Sequence, residues 1–342
     1  MSAQQRDIVA PRGILSAVGN TPLVELKKFV GDGSFRLFAK LEGLNPGGSM
    51  KDRPAMRIIE QGLESGLIDR STVIVESSSG NMGIGLAQIC AYYGLQFICV
   101  VDPKTTQQNL RLLRVYGAEI DVVEAPDPET GEFLGARIKR VKSLLGSIEN
   151  SFWPNQYANE NNSGAHHQTM REVVEALGGE VDYLFIAVST CGTLRGCAEY
   201  VRANRLKTKI IAVDAKGSVI FDSPKIKRLI PGHGAAVRPQ LFRDDLAVEC
   251  VHVTDLDCVV GCRKLVGSEA ILAGGSSGAV MTAVGLYADR VPKGSNCVVI
   301  LPDRGERYLD TIYCDEWVEE HFGDIANLWD ASFVEEELEA VA

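Results

Sequence analysis

The stretch Asn45-Pro46-Gly47-Gly48-Ser49-Met50-Lys51-Asp52-Arg53 decides how this chain is read. It presents one lysine from a turn of small residues, with an acid and an arginine directly behind it. A lysine held in a confined turn loses part of its hydration. Its amine then becomes nucleophilic near neutral pH, and can attack an aldehyde and later carry a proton. The plainer alternative is a solvated Lys-Asp-Arg patch at a helix start. What separates the two is the company the turn keeps, because further loops of chemistry-bearing residues follow it in order.

Those loops close a regular alternation. Short β-rich runs at 35–40, 73–76, 97–101, 119–123, 183–188, 210–214 and 297–301 are interleaved with helical periods at 53–65, 82–93, 107–116, 133–145, 167–177, 194–204, 255–269 and 279–288. The alternation predicts an α/β fold of open, mostly parallel twisted sheets covered by helices. A chain of 342 residues exceeds what one core usually fills, which predicts two domains. The Asn-rich stretch 151–164 interrupts the alternation and is the expected crossing between the halves, while the acidic tail 334–342 is expected to fray. Open α/β sheets bind ligands beyond the carboxyl ends of their strands, so the turns there should hold the chemistry.

Composition narrows the function. A net charge of −10 without a basic cluster argues against nucleic acid and against an anionic membrane surface. No apolar run follows the polar first residues or reaches the roughly 20 residues of a spanning helix, so the chain reads as cytoplasmic. The nine cysteines lie mostly inside apolar runs and read as small buried hydrophobes. Cys258 and Cys262 share a helix face without a second ligand pair, so no metal is expected.

Three turns carry the remaining signal. Ser77-Ser78-Ser79-Gly80-Asn81-Met82-Gly83 leads from a strand into a helix, and its hydroxyls and free N–H groups suit a carboxylate better than simple capping requires. Ser189-Thr190-Cys191-Gly192-Thr193 aims backbone amides and threonine hydroxyls at one point, as a phosphate bound without Mg²⁺ needs, but by itself it is equally an ordinary strand-to-helix turn. Gly274-Gly275-Ser276-Ser277-Gly278 opens another helix. A fourth stretch, 301–309, reads as a structural salt-bridge cluster.

In this order the motifs resemble the fold-type II pyridoxal phosphate enzymes, in the cysteine synthase and cystathionine β-synthase branch, with a fold like the tryptophan synthase β chain. The resemblance runs from Gly19-Asn20-Thr21-Pro22-Leu23 to Gly305-Glu306-Arg307-Tyr308-Leu309. It implies pyridoxal 5′-phosphate as cofactor and Lys51 as its Schiff-base lysine. Asn81 would meet the cofactor's ring oxygen, Ser189, Thr190, Cys191, Gly192 and Thr193 its phosphate, and Ser276 its ring nitrogen. A serine at that nitrogen favours elimination and replacement at Cβ over transamination. Ser78, Ser79 and Gln156 would grip the substrate carboxylate. The implied domains are 1–20 with 42–155, carrying the lysine, and 21–41 with 156–342, carrying the phosphate loop. They would close on substrate in a homodimer.

Departures from the cysteine synthase pattern bear on substrate. Met82 stands where that branch usually has threonine, Ser189 where it has glycine, and Tyr157 and Arg195 where smaller or less charged residues are common. The combination resembles the group that joins O-phospho-L-serine to L-glutamate, giving the N-(2-amino-2-carboxyethyl)-L-glutamate from which the siderophore staphyloferrin B draws 2,3-diaminopropionate. That implies β-replacement, with Arg137 and Arg238 as candidate partners for the substrate phosphate and carboxylates. His166 and His167 are expected to be structural. A cysteine synthase, a serine or threonine dehydratase and a cofactor-binding sensor without turnover remain the alternatives.

Overall fold

The computed structural model describes residues 13–31, 34–128, 131–224, 226–325 and 328. The acidic tail and the first twelve residues therefore lie outside the described residues. Among these, the strands are β1 (Leu23–Glu25), β2 (Arg36–Leu41), β3 (Val73–Ser77), β4 (Gln96–Val101), β5 (Glu119–Val122), β6 (Ser151–Phe152), β7 (Tyr183–Ala187), β8 (Lys209–Ala215), β9 (Glu249–Val253) and β10 (Asn296–Leu301). The α-helices are α1 (Lys27–Val30), α2 (Asp52–Glu64), α3 (Asn81–Tyr93), α4 (Gln107–Val115), α5 (Phe133–Ser147), α6 (Glu160–Ala176), α7 (Gly192–Ala203), α8 (Asp255–Glu269), α9 (Gly275–Tyr287) and α10 (Asp315–Phe322).

Two sheets result, one ordered β1-β2-β10-β7-β8-β9 and the other β5-β4-β3-β6. Every pairing is parallel except β1 with β2, which run antiparallel with Leu23 opposite Lys40. The apolar runs follow from this. Successive side chains of a strand point to opposite faces, and both faces of these sheets are covered, so no polar alternation is needed. In β7, Tyr183 and Phe185 enter one core cluster while Leu184 and Ile186 enter another on the opposite face. In β4, Phe97, Cys99 and Val101 divide from Ile98 and Val100 in the same way. Helices α8 and α9 cross at backbone contact, since a Cβ on Gly261 would lie 2.1 Å from the Gly278 carbonyl oxygen.

The stretch 151–164 leads from the smaller sheet to a core cluster of the larger one: Ser151–Phe152 pairs at the edge of the smaller sheet, and α6, whose Met170 and Val173 enter that cluster, begins at Glu160 behind an Asn159 cap whose side chain accepts from the Asn161 N–H. Helix α6 thus starts seven residues before the apolar period suggested, because its first two turns are polar yet buried against α7. Strands β1 and β9 were not expected at all, being respectively three residues long and mixed in polarity. The lysine turn, the serine loop, the 189–193 loop and the 301–309 stretch lie beyond the carboxyl ends of β2, β3, β7 and β10, whereas the turn at 274–278 joins α8 to α9.

Candidate active site

The lysine turn is built by hydrogen bonds that fold it back on itself. The Asn45 side chain donates to the Glu42 carbonyl at 2.8 Å and accepts from the Gly19 N–H at 2.8 Å, and the Gly47 N–H donates to Asp52 Oδ2 at 2.5 Å. Gly48 has φ +84°, which favours glycine, and a Cβ on Gly47 would lie 2.5 Å from Asp52 Oδ1. The turn leads into α2, where Pro54 sits in the first turn that tolerates it. Burial lowers the Lys51 amine to about 8, with Asp303 pulling the other way. Burial also pushes the adjacent Asp52 carboxyl up to about 7, against its bond from Gly47.

Directly behind stands a buried ion network. Arg53 makes two 2.7 Å bonds to the Glu42 carboxylate and reaches Glu172 of α6 at 2.7 and 2.8 Å, while the Lys40 ammonium lies 2.7 Å from Glu172. Two cations and two carboxylates thus balance where water is excluded. They tie β2, α2 and α6 together one residue pair beyond Lys51.

At the end of β3 the loop 77–83 is shaped from within. Ser78 Oγ accepts from the Gly83 N–H at 2.9 Å, so that hydroxyl oxygen is already engaged in the loop. The Ser79 carbonyl accepts from Asn109 Nδ2 at 3.0 Å, and its hydroxyl has no partner among the described residues. Met82 packs in the apolar core with Ile84 and Leu86 instead of offering a polar group to the loop. Glu76 anchors the opposite wall: it accepts from Trp153 Nε1 at 3.0 Å and from the Gln156 N–H at 3.2 Å. Burial pushes its carboxyl up to about 7 against those bonds. Gln156 is thereby held beside this loop, its amide donating to the Ser77 carbonyl at 3.4 Å.

The loop after β7 leads into the N-terminus of α7. Cys191 takes a left-handed conformation, φ +62°, and a Cβ on Gly192 would lie 2.3 Å from Asn162 Oδ1. Asn162 donates to the Gln156 carbonyl at 2.6 Å and to Thr190 Oγ1 at 3.2 Å, while its Oδ1 is buried without a partner. Thr193 Oγ1 lies 3.3 Å from His166 Nε2 and 3.9 Å from the Met50 sulfur, next to Lys51. Burial, with Lys51 and Arg53 nearby, holds His166 well below its ordinary pKa, so it faces Thr193 as a neutral ring. The Ser189 hydroxyl has no partner among the described residues.

The turn before α9 completes the ring of helix starts. Ser277 Oγ is buried without a partner, and Ser276, 8% exposed, makes no side-chain hydrogen bond to a described residue. Close by, the stretch 301–309 corrects the sequence reading. It is more than a structural salt-bridge cluster, for Asp303 is 3% exposed and accepts from Asn81 Nδ2 and the Tyr308 hydroxyl, both at 2.7 Å. Arg307 donates to Asn81 Oδ1 and to the Gly47 carbonyl. Its position after a strand end was the signal available for finding Asp303.

The two candidate arginines part company. Arg137 of α5 is 9% exposed, its Nε 3.3 Å from Asp102 Oδ2 but poorly aligned, and its Nη1 has no acceptor. Asp102 follows β4, and Arg137 is within electrostatic reach of Tyr157. Arg238 instead pairs with exposed Asp222 at 2.5 Å and lies over the Phe242 ring. Arg228, which sequence reasoning passed over, also acts on Tyr157, whose hydroxyl burial pushes upward. Arg195 bridges Glu199 at 2.7 Å and Glu160 at 3.0 Å on the α6–α7 surface, and His167 lies 3.1 Å from Glu199.

A desolvated lysine among the starts of α2, α3, α7 and α9, whose free N–H groups suit an anion, with an unpartnered Ser277 hydroxyl able to donate, fits an aldehyde cofactor carrying one phosphate. Residues 14–303 match the profile of the pyridoxal-phosphate dependent enzyme family, and the chain belongs to that family. It is similar to a hydrogen sulfide-producing enzyme from Fusobacterium nucleatum, at 33% identity over 86% of this chain and 99% of that one, with TM-score 0.81. The O-acetylserine dependent cystathionine β-synthase from Helicobacter pylori is 31% identical over 88% and 98%, with TM-score 0.81. An O-ureido-L-serine synthase is 27% identical over 91% and 96%, also with TM-score 0.81. The protein is a pyridoxal phosphate-dependent enzyme of cysteine synthase-like fold, in a family that performs β-replacement and elimination. No described helix is long and apolar enough to cross a membrane, and no described group of acids, histidines and cysteines could hold a metal.

Proposed function

We propose that the enzyme joins the β-carbon of O-phospho-L-serine to the α-amine of L-glutamate, releasing phosphate and giving N-(2-amino-2-carboxyethyl)-L-glutamate, a 2,3-diaminopropionate precursor. The observation that carries this reading is Arg137, a nearly buried guanidinium whose Nη1 lacks an acceptor, within electrostatic reach of Tyr157 next to the carboxylate-loop partner Gln156. A buried cation left short of acceptors costs stability unless a ligand supplies them, and a phosphate monoester does so with charge-assisted bonds.

When bound, pyridoxal phosphate supplies the electron sink that makes the substrate's Cα–H acidic and its β-substituent able to leave. The chain does the rest. Lys51 holds the cofactor through its amine and, once freed, removes the Cα proton and later returns it. Burial lowers the pKa of that amine from its ordinary value, which favours the neutral form a base requires. The start of α3, Ser79 and Gln156 hold the amino-acid carboxylate. Residues 189–193 hold the cofactor phosphate, with His166 and Asn162 fixing the two threonines. Asn81 meets the ring oxygen, and Ser276 the ring nitrogen. The unit formed by 1–20 with 42–155 closes on that formed by 21–41 with 156–342, which keeps water from the reactive carbon.

The test incubates the enzyme with O-phospho-L-serine or O-acetyl-L-serine against a panel of amines and thiols, and identifies products by mass. The expected product is the phosphoserine–glutamate adduct. Acetylserine and sulfide reacting best would make the enzyme a cysteine synthase, and ketoacid alone a dehydratase.

Ser189 should shape the acceptor side of this pocket. Ser189→Gly is expected to keep the yellow cofactor but to slow glutamate addition on the order of tenfold, one modest contact, relative to the elimination step. Stopped-flow absorbance separates the two steps. Equal rates in variant and parent would reduce Ser189 to a cofactor-loop residue.

A further inference from the structure

Asn81 opens α3 with both ends of its side-chain amide occupied by groups that cannot exchange roles. Its Nδ2 donates to Asp303 Oδ2 at 2.7 Å, and its Oδ1 accepts from Arg307 Nη1. A carboxylate only accepts and a guanidinium only donates, so one orientation of the amide is satisfied and the flipped one meets two repulsions. One of the two Nδ2 hydrogens remains uncommitted. The clamp comes from the far sheet: Asp303 and Arg307 follow β10, and their stretch is sewn to the lysine turn by the Met50 N–H donating to the Pro302 carbonyl at 2.8 Å and the Arg304 N–H to the Gly48 carbonyl at 3.2 Å. Arg307 additionally donates to the Gly47 carbonyl. A Cβ on Gly274 would lie 2.1 Å from Asp303 Oδ1, so the carboxylate is pressed into place from the α9 side as well.

We infer that Asp303 and Arg307 are positioning residues that fix the Asn81 amide so that its free N–H, and not its carbonyl oxygen, is presented to the cofactor's ring oxygen. This rests on the reading that Asn81 meets that oxygen. An N–H donor stabilises the ionised ring oxygen, whereas a carbonyl there would repel it and favour the protonated form. The charged groups facing Asp303 are Lys51 and Arg307, with the Tyr308 hydroxyl donating to it.

The test is a pH titration of the bound cofactor's visible spectrum in the holoenzyme, which reads ring protonation without turnover. Asn81→Ala sets the full effect, expected as a midpoint about one pH unit higher. Arg307→Met and Asp303→Asn should each shift the midpoint the same way, and Arg307→Lys, which keeps a donor, should restore most of it. The decisive comparison is the double variant: Asn81→Ala with Arg307→Met is expected to shift no further than Asn81→Ala alone. Additive shifts would overturn the clamp, because Arg307 would then act on the ring without Asn81. An unmoved midpoint in Asn81→Ala alone would remove the underlying reading and the clamp with it. Arg307 is only partly buried, so its variants keep the test open if Asp303→Asn fails to fold.

Discussion

Lys51→Ala is expected to bind pyridoxal phosphate without a borohydride-reducible bond and to lose turnover by on the order of 10³-fold or more. In the parent, reduction followed by peptide mapping should label the peptide that contains Lys51. The reason is local: the Lys51 amine, lowered to about 8 by burial, lies within electrostatic reach of Asp303 after β10 and of Cys191 at the start of α7. The apoprotein should therefore capture the cofactor about tenfold faster per pH unit as pH rises toward that value, then level off, as the neutral amine becomes the dominant form. Label on another lysine, or capture indifferent to pH between 6 and 8 (roughly two decades of amine fraction), would count against this site.

Arg53→Met is expected to destabilise the protein by about 3–5 kcal/mol, because it leaves the Glu42 and Glu172 carboxylates buried with the Lys40 ammonium as their remaining cation. Thermal unfolding of the holoenzyme should fall by on the order of 10 °C, and a change within 2 °C (about 1 kcal/mol at this size) would refute the network's role. The pH dependence has a definite sign. Burial opposes ionisation of Glu172, but Arg53 and Lys40 outweigh it and hold the carboxyl at about 2, below its ordinary 4.5. Its contribution is therefore fully present above about 4.5 and lost as pH falls toward about 2. Arg53→Met should flatten that part of the acid-unfolding curve.

The features legible in the sequence were those carried by neighbouring residues. The lysine turn, the serine loop and the loop after β7 each need small residues at fixed spacing because backbone must approach closely, as Gly47 does to Asp52 and Gly192 to Asn162. The buried parallel strands were legible as apolar runs because both of their faces are covered. What escaped depends on partners distant in the chain. Asp303 looks like an ordinary turn acid until β10 brings it to Asn81, 222 residues away in sequence. Glu76 reads as the polar end of a strand, yet it holds the turn that carries Gln156. Arg137 and Arg238 are alike as letters. Only packing leaves one buried beside Asp102 and the other in a surface pair with Asp222.

The same contrast supplies the most direct test of the donor. Values of kcat/KM for O-phospho-L-serine and O-acetyl-L-serine should be measured in the parent and in Arg137→Met. With Arg137 on the phosphate, the variant should lose on the order of 100-fold with O-phospho-L-serine, the scale of a buried charge-assisted contact, and change by less than about threefold with O-acetyl-L-serine. Equal losses on both donors, or none on either, would contradict the assignment of Arg137 to the leaving phosphate.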